Sequence, residues 1–389
     1  MNIILFDNKR SDFYPLSLTR SISEFRLGIL TLREKWESYF DSVSILSNDY
    51  LAEKYHTNIK DDNIWINSQL LPSKDIVTEI KSLRVGEVLN KESVILAFRN
   101  SEYISDKLNN VESNSEFSFL SSITDIFRLN GEEIINDIKL LNFQNNVKNL
   151  VELTDSNIKS GKYPVYVEEG ATIENCYINS SDGPVYIGKN THIMQGSMLR
   201  GPFAICDNSV VKMGAKIYGA TTIGPFCKVG GEINNSVFFG YSSKAHDGFL
   251  GNSIIGQWCN LGADTNNSNL KNNYDDVKIW NYSSESFLQT GLQFCGLIMG
   301  DHSKCGINTM FNTGTVVGVG ANIFGSGFPR NFIPSFSWGG SSGFIIHKLE
   351  KFFSTAEKVM KRRSIAFSDI DKQVLMQVYN MTKRYRNEK

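Results

Sequence analysis

Residues 185–233 read VYIGKNTHIMQGSMLRGPFAICDNSVVKMGAKIYGATTIGPFCKVGGEI, and their period is six. Ile187, Ile193, Leu199, Ile205, Val211, Ile217, Ile223 and Val229 follow one another at that spacing without a miss. Four positions after each stand Thr191, Ser197, Phe203, Ser209, Ala215, Thr221, Cys227 and Ile233, most of them small. The period returns at Met299, Cys305, Phe311, Val317 and Ile323, with Ser303, Thr309, Thr315 and Ala321 in the small slot. Chance alternation does not keep such phase. The pattern predicts a parallel β-helix over residues 161–340, a prism of three flat sheets in which each hexapeptide forms one side. An inward aliphatic residue fills the axis, and a small residue permits the tight corner.

Working outward, the six-residue register is lost between about 233 and 298, in GYSSKAHDGFLGN (240–252) and NNSNLKNNYDDVKIWNYSSESFLQTG (266–291). Loops expelled from a rigid coil are where function concentrates. Upstream, residues 1–120 alternate β-rich runs with helical spacing, the mark of an α/β domain with a mainly parallel sheet. Strands are expected at 2–6, 42–46, 63–67 and 93–98, and helices near 25–38 and 75–84. Residues 122–152 read as a connecting helix within a linker over 121–160. Beyond residue 341, IIHKLEKFFSTAEKVMKRR (345–363) and SDIDKQVLMQVYNMTKRYR (368–386) have amphipathic helical spacing, the simplest role of which is to cap the coil.

The bulk numbers suit this plan. A chain of 389 residues with 41% hydrophobic and 21% charged residues is ordinary globular protein in two or three units. A formal charge of -1 provides no global basic field for nucleic acid or anionic membrane. No apolar run approaches the roughly 20 residues of a membrane helix, and MNIILFDNKR lacks the apolar core of a secretory signal, so a cytoplasmic location is expected. Six cysteines, at 176, 206, 227, 259, 295 and 305, form no CxxC pair and fall within the apolar repeat. They read as small core residues.

The stretch EINNSVFFGYSSKAHDGFLGNSIIGQWCNLGADTNNSN (232–269) and the following GLIMGDHSKCGIN (296–308) resemble the acetyltransferase half of the bifunctional uridylyltransferase/glucosamine-1-phosphate acetyltransferases. The likeness spans roughly residues 163–330. The whole chain is most similar to the Bacteroidetes-type variant with a shortened front domain. The resemblance implies a left-handed coil, although the general crossover preference favours the opposite hand. It also implies a homotrimer with sites between adjacent coils, and acetyl-CoA as co-substrate. His246 matches the family's general base, which takes a proton from the sugar amine as it attacks the thioester. Imidazole suits that task because it titrates near neutral pH. By the same resemblance Asn273 and Phe249 contact substrate, and Lys304 falls near the coenzyme A site. The family's phosphate-binding arginine falls at Tyr218, and its EIKNS lysine at Asn234. Lys228 and Lys244, with Lys212 and Lys216 nearby, are the cations available to replace them.

In the front domain, PLSLTRS (15–21) is similar to a stretch that follows the nucleotide loop of sugar nucleotidyltransferases. The glycines of that loop are absent after the first strand, Ile22 stands at the lysine position, and Gln69 replaces the metal-binding aspartate. Arg10 and Arg20 remain as candidate nucleotide ligands. Mg2+ and UTP enter only if this domain is active. The expected function is therefore acetyl-CoA-dependent N-acetylation of glucosamine 1-phosphate in UDP-N-acetylglucosamine synthesis, with uridylyl transfer by the front domain as a second activity. The alternatives are a nucleotidyltransferase with a structural β-helix and a non-catalytic regulatory subunit. A zinc-dependent hydratase on the same coil needs three gathered histidines, and His56, His192, His246, His302 and His347 show no close spacing.

Overall fold

The turns of the coil close at eighteen residues. In the computed structural model, which describes residues 1–141 and 156–386, Ile187 pairs with Ile205 and Ile205 with Ile223 in parallel register. Three sheets of six, nine and ten strands form the faces of a parallel β-solenoid of about 13 turns, in keeping with the left-handed β-helix expected. The six-spaced residues Ile187 to Val229 all lie inward and are at most 2% exposed. Each such rung contributes about 1.5–3 kcal/mol through burial.

The small slot has a second reason besides space. Thr191, Ser197 and Thr309 each donate a hydroxyl to the carbonyl three residues back, Gly188 at 3.0 Å, Met194 at 2.8 Å and Gly306 at 2.9 Å. These bonds satisfy corner carbonyls that the sheet ladders cannot reach. A second corner position has a left-handed backbone, with Asn190 at φ 53° and Asn208 at φ 59°, which asparagine tolerates better than most residues.

The coil does not break at 233. It continues through Asn267, with turns shortened to fifteen residues from Thr222 to Val237 and seventeen from Val237 to Ile254. Sheet pairing counts rungs, whereas a sequence period counts residues, so deletions at corners erase the period and leave the architecture. The true excursion follows Asn267 and ends before Ile298, so that Ile254 and Ile298 pair across forty-four residues. It carries an antiparallel hairpin, Lys278–Asn281 with Ser286–Gln289.

The chain divides into two compact units. The first comprises Met1–Phe13, Thr19–Phe25 and Leu30–Ile123, and the second holds the rest. The sheet of the first unit contains β1 (Asn2–Phe6), β2 (Val43–Leu46), β3 (Asn63–Asn67), β4 (Glu87–Lys91), β5 (Val94–Asn100) and β6 (Asn109–Glu112), in the order β2-β1-β3-β5-β4-β6. The four expected strands are present, but the sheet is mixed. β5 runs antiparallel to both β3 and β4. The β4–β5 hairpin was hidden because its turn is Glu92-Ser93, both at positive φ, instead of an Asn-Gly or Asp-Gly signal. Helices form at Leu32–Glu37, where Thr31 and Glu34 make a capping box, and at Lys74–Ser82.

In the second unit, helix Asn130–Leu141 is tied to the coil: the Asn130 amide donates to the Ala220 carbonyl at 2.7 Å and accepts from the Thr222 hydroxyl at 3.0 Å. Residues 142–152 of the expected connecting helix lie outside the described residues. The C-terminal helices are Leu349–Lys361 and Asp369–Met381. No helix among the described residues is long and apolar enough to cross a membrane.

None of the six cysteines is in a disulfide, and all are buried. Burial pushes the thiols of Cys227 and Cys295 up to about 12, far from the thiolate form that reacts. A disulfide reagent such as Ellman's is therefore expected to titrate none of them in the native protein and all six in denaturant. Rapid native labelling of two or more would contradict the buried assignment.

Candidate active site at a shortened coil corner

His246 lies on a corner of the coil, Ala245–Gly248, between the strands Ser243–Lys244 and Phe249–Gly251. Corners of this column ordinarily hold four residues, as at 212–215, 262–265 and 306–309. The one directly beneath His246 holds two, Gly230 and Gly231, between Val229 and Glu232. Both must be glycine. A Cβ on Gly230 would stand 2.5 Å from the Ala245 carbonyl, and one on Gly231, at φ +72°, 2.8 Å from the Asp247 Cα. The two-residue corner packs closely against the His246 corner, and His246 itself is exposed. His246 borders a cleft of about 600 Å³, and its imidazole has no hydrogen-bond partner among the described residues.

The floor of the cleft is a row of outward side chains on the ten-stranded sheet, Lys228, Ser243, Asn260 and Lys304, paired rung to rung. One wall is aromatic. Tyr241 and Trp258 line it, and with Phe226 and His302 along the same column they occupy the left-handed corner position at φ 56°, 63°, 58° and 60°, where Asn190 and Asn208 stand in earlier turns. Tyr241 stacks between Phe226 and Trp258, with ring centroids 4.9 and 4.3 Å apart. Bulky side chains in that conformation are strained, and stacking along the coil offsets part of the cost. The opposite rim is the end of helix Leu349–Lys361, which brings Val359, Arg362 and Arg363 to the cleft. The first of the two C-terminal helices thus borders the cleft at its C-terminal end.

The charges here are unbalanced. Burial and then the neighbouring cations Arg363, Lys212 and Arg362 hold the Lys228 ammonium below the usual lysine range. None of Lys228, Arg362 and Arg363 makes an ion pair among the described residues. Mutual repulsion of this kind is relieved by an anionic ligand.

The sequence candidates separate into two groups. His246, Lys228 and Lys304 meet at the cleft. Lys304 is partly spent: its ammonium donates to the His302 carbonyl at 3.0 Å, and burial lowers its pKa. Lys244, expected among the substrate ligands, is fully buried and points into the axis. Its ammonium, pushed down to about 8 by burial and held up in part by Asp247, bonds the carbonyls of His246 and Gly230. Phe249 lies on a different face of the coil, its N–H bound to Asn266. Asn273 is exposed on the excursion and bonds Asp275. Neither borders the His246 cleft of the same chain. Tyr218 donates its hydroxyl to Glu232 at 2.6 Å. Sequence reasoning missed Tyr241, Trp258, Asn260, Arg362 and Arg363. The legible signal for the rings was an aromatic residue at three successive corners where asparagine recurs.

In the first unit, Arg10 and Arg20 are buried, at 6% and 3% exposure. The Arg10 guanidinium donates to Ser47, Asn48, Tyr50 and the Arg20 carbonyl. Asp7, at the end of β1, accepts from Ser21, Ser47 and the Ile22 N–H, and burial holds its carboxyl above the usual range. The loop that would wrap a nucleotide is closed on itself by these bonds.

Residues 3–145, over a third of the chain, match the family described as sugar nucleotidyl transferase. The first unit is thus nucleotidyltransferase-like. No curated protein matches the chain. Among solved structures, the polySia-specific acetyltransferase NeuO is 16% identical over 54% of this chain and 99% of its own, with a TM-score of 0.28. A mutant of AntD, an N-acyltransferase from Bacillus cereus, in complex with dTDP-4-amino-4,6-dideoxyglucose and coenzyme A, is 14% identical over 53% and 91%, with a TM-score of 0.22. Arabidopsis UDP-N-acetylglucosamine acyltransferase is 13% identical over 60% and 91%, with a TM-score of 0.20. Superpositions that loose transfer no function.

Proposed function

We propose that the cleft is the active site of an acetyl-CoA-dependent N-acetyltransferase acting on an amino-sugar 1-phosphate, glucosamine 1-phosphate being the first candidate, with His246 as general base. The observation that carries the reading is an exposed imidazole, without a hydrogen-bond partner among the described residues, at the border of a cleft lined by the cations Lys228, Arg362 and Arg363 and the rings of Tyr241 and Trp258. The rim suits the phosphates of coenzyme A, and the rings suit flat or apolar parts of the same molecule. His246 removes a proton from the attacking amine, the N–C bond forms as the thioester C–S bond breaks, and the proton passes to the departing thiolate. Asn260, in the floor, offers an amide to the acetyl group or the sugar. In a homotrimer, Phe249 and Asn273 would serve the cleft of a neighbouring coil.

The test is coenzyme A release from acetyl-CoA with glucosamine 1-phosphate, galactosamine 1-phosphate and glucosamine as separate acceptors. Release with a phosphorylated amino sugar supports the reading, and none with any amine sinks it. Because the first unit lacks the glycine loop and both terminal nitrogens of Arg10 already donate within the unit, UTP and Mg2+ added to the same reaction are expected to yield no pyrophosphate above the blank. Pyrophosphate formed in step with sugar consumption would restore uridylyl transfer as a second activity.

A further inference from the structure

Lys244 takes a rung of an apolar axis. The inward column of the ten-stranded sheet runs through Val211, Val229 and Lys244 and continues with Leu261, Cys305 and Ile323. The lysine side chain is wholly buried. The opposing charges, Asp247 and Asp264, act on it only through space. An ammonium in an aliphatic column is expensive unless it satisfies groups that nothing else reaches.

Two such groups are present, and both arise from the shortened corner. At a regular corner the third residue donates its N–H to the second residue of the turn beneath, as Gly214 does to Gln195 and Asn308 to Ala263. Asp264, above the His246 corner, is displaced by one and donates to Asp247. The His246 carbonyl is thereby released from the ladder. At a regular corner the first carbonyl is taken by the fourth residue, as Gly262 is by the Thr265 hydroxyl at 2.7 Å. The two-residue corner has no fourth residue, so the Gly230 carbonyl is also left over. No backbone N–H among the described residues reaches either oxygen. The Lys244 ammonium reaches both, at 2.7 Å to His246 and 3.1 Å to Gly230.

We propose that Lys244 is a positioning residue for His246: its ammonium replaces two missing backbone donors and holds the corner from which the imidazole projects. The catalytic consequence rests on the reading of His246 as the base, whereas the holding of the corner does not. A methionine at this rung would keep the axis filled but could not donate.

Hydrogen exchange and acetyl-transfer kinetics on the full-length protein test the proposal. In Lys244→Met, amides in a peptide covering 243–249 are expected to exchange at least about tenfold faster, with peptides covering 187–211 unchanged. The kcat for coenzyme A release should fall at least about tenfold with KM for acetyl-CoA little altered. Lys244→Gln, which still donates, should recover part of both. Wild-type exchange at 243–249 in the methionine variant would overturn the proposal. Loss of protection along the whole coil in both variants would also overturn it, since Lys244 would then support the fold and not the corner. If His246→Ala leaves transfer intact while Lys244→Met still loosens the corner, the functional reading fails and the structural assignment stands.

Discussion

His246→Ala is expected to lower the rate of coenzyme A release about 10²–10⁴-fold, the usual contribution of a general base, while leaving the melting temperature essentially unchanged. The side chain is exposed and bonded to nothing among the described residues, so its loss removes no packing and no structural hydrogen bond. The loss should appear in kcat, because a base acts on the reacting amine and contributes little to ground-state affinity. His246→Gln, similar in shape but unable to accept the proton, should be nearly as slow as the alanine variant. A variant retaining more than about a third of wild-type kcat would be incompatible with general-base catalysis at this corner.

The second large effect is expected on KM. The double variant Arg362→Ser with Arg363→Ser removes two of the cations that face Lys228 across the cleft. Charge-assisted bonds to phosphate contribute about 1.5–3 kcal/mol each when formed, and less where solvent screens them. The KM for acetyl-CoA is therefore expected to rise by about tenfold or more, with kcat little changed. The wild-type KM should itself rise with ionic strength, and the variant's should do so less steeply. Folding stability is expected to hold or improve, since the substitution relieves repulsion without removing an ion pair. An unchanged KM at low salt would mean that the anion enters elsewhere and that this rim is only a solvated helix end.

Much of the fold is written in local spacing. The residues from Ile187 to Val229 report the axis directly, because a solenoid is built from neighbours in sequence and each rung needs only its own hexapeptide to be read. The front strands were equally visible as β-rich runs. What the reading lost, it lost where residues were deleted. Between 233 and 267 the corner lengths change while the rungs stay paired, so the period vanished and a continuous coil looked like an expelled loop. His246 was legible through its SSKAHDG setting, but the cleft beside it is assembled from several turns of the coil and a helix end.

The sequence by itself determined the β-helix, its axis, the nucleotidyltransferase-like front with its missing glycines, and the histidine on which the functional reading turns. These are properties of short segments, whose spacing and chemistry are complete within a few residues. The tertiary structure alone decided the rest. It set Lys244 inside the axis instead of at the substrate, because only stacking of turns shows which carbonyls are left without a donor. It put Phe249 on a different face of the coil and Asn273 on the excursion, both away from the His246 cleft of their own chain. It also carried Arg362 and Arg363, more than a hundred residues downstream, to the rim of that cleft. A long-range contact of that kind leaves no period in the chain, since it is fixed by where a helix packs and not by the residues beside it.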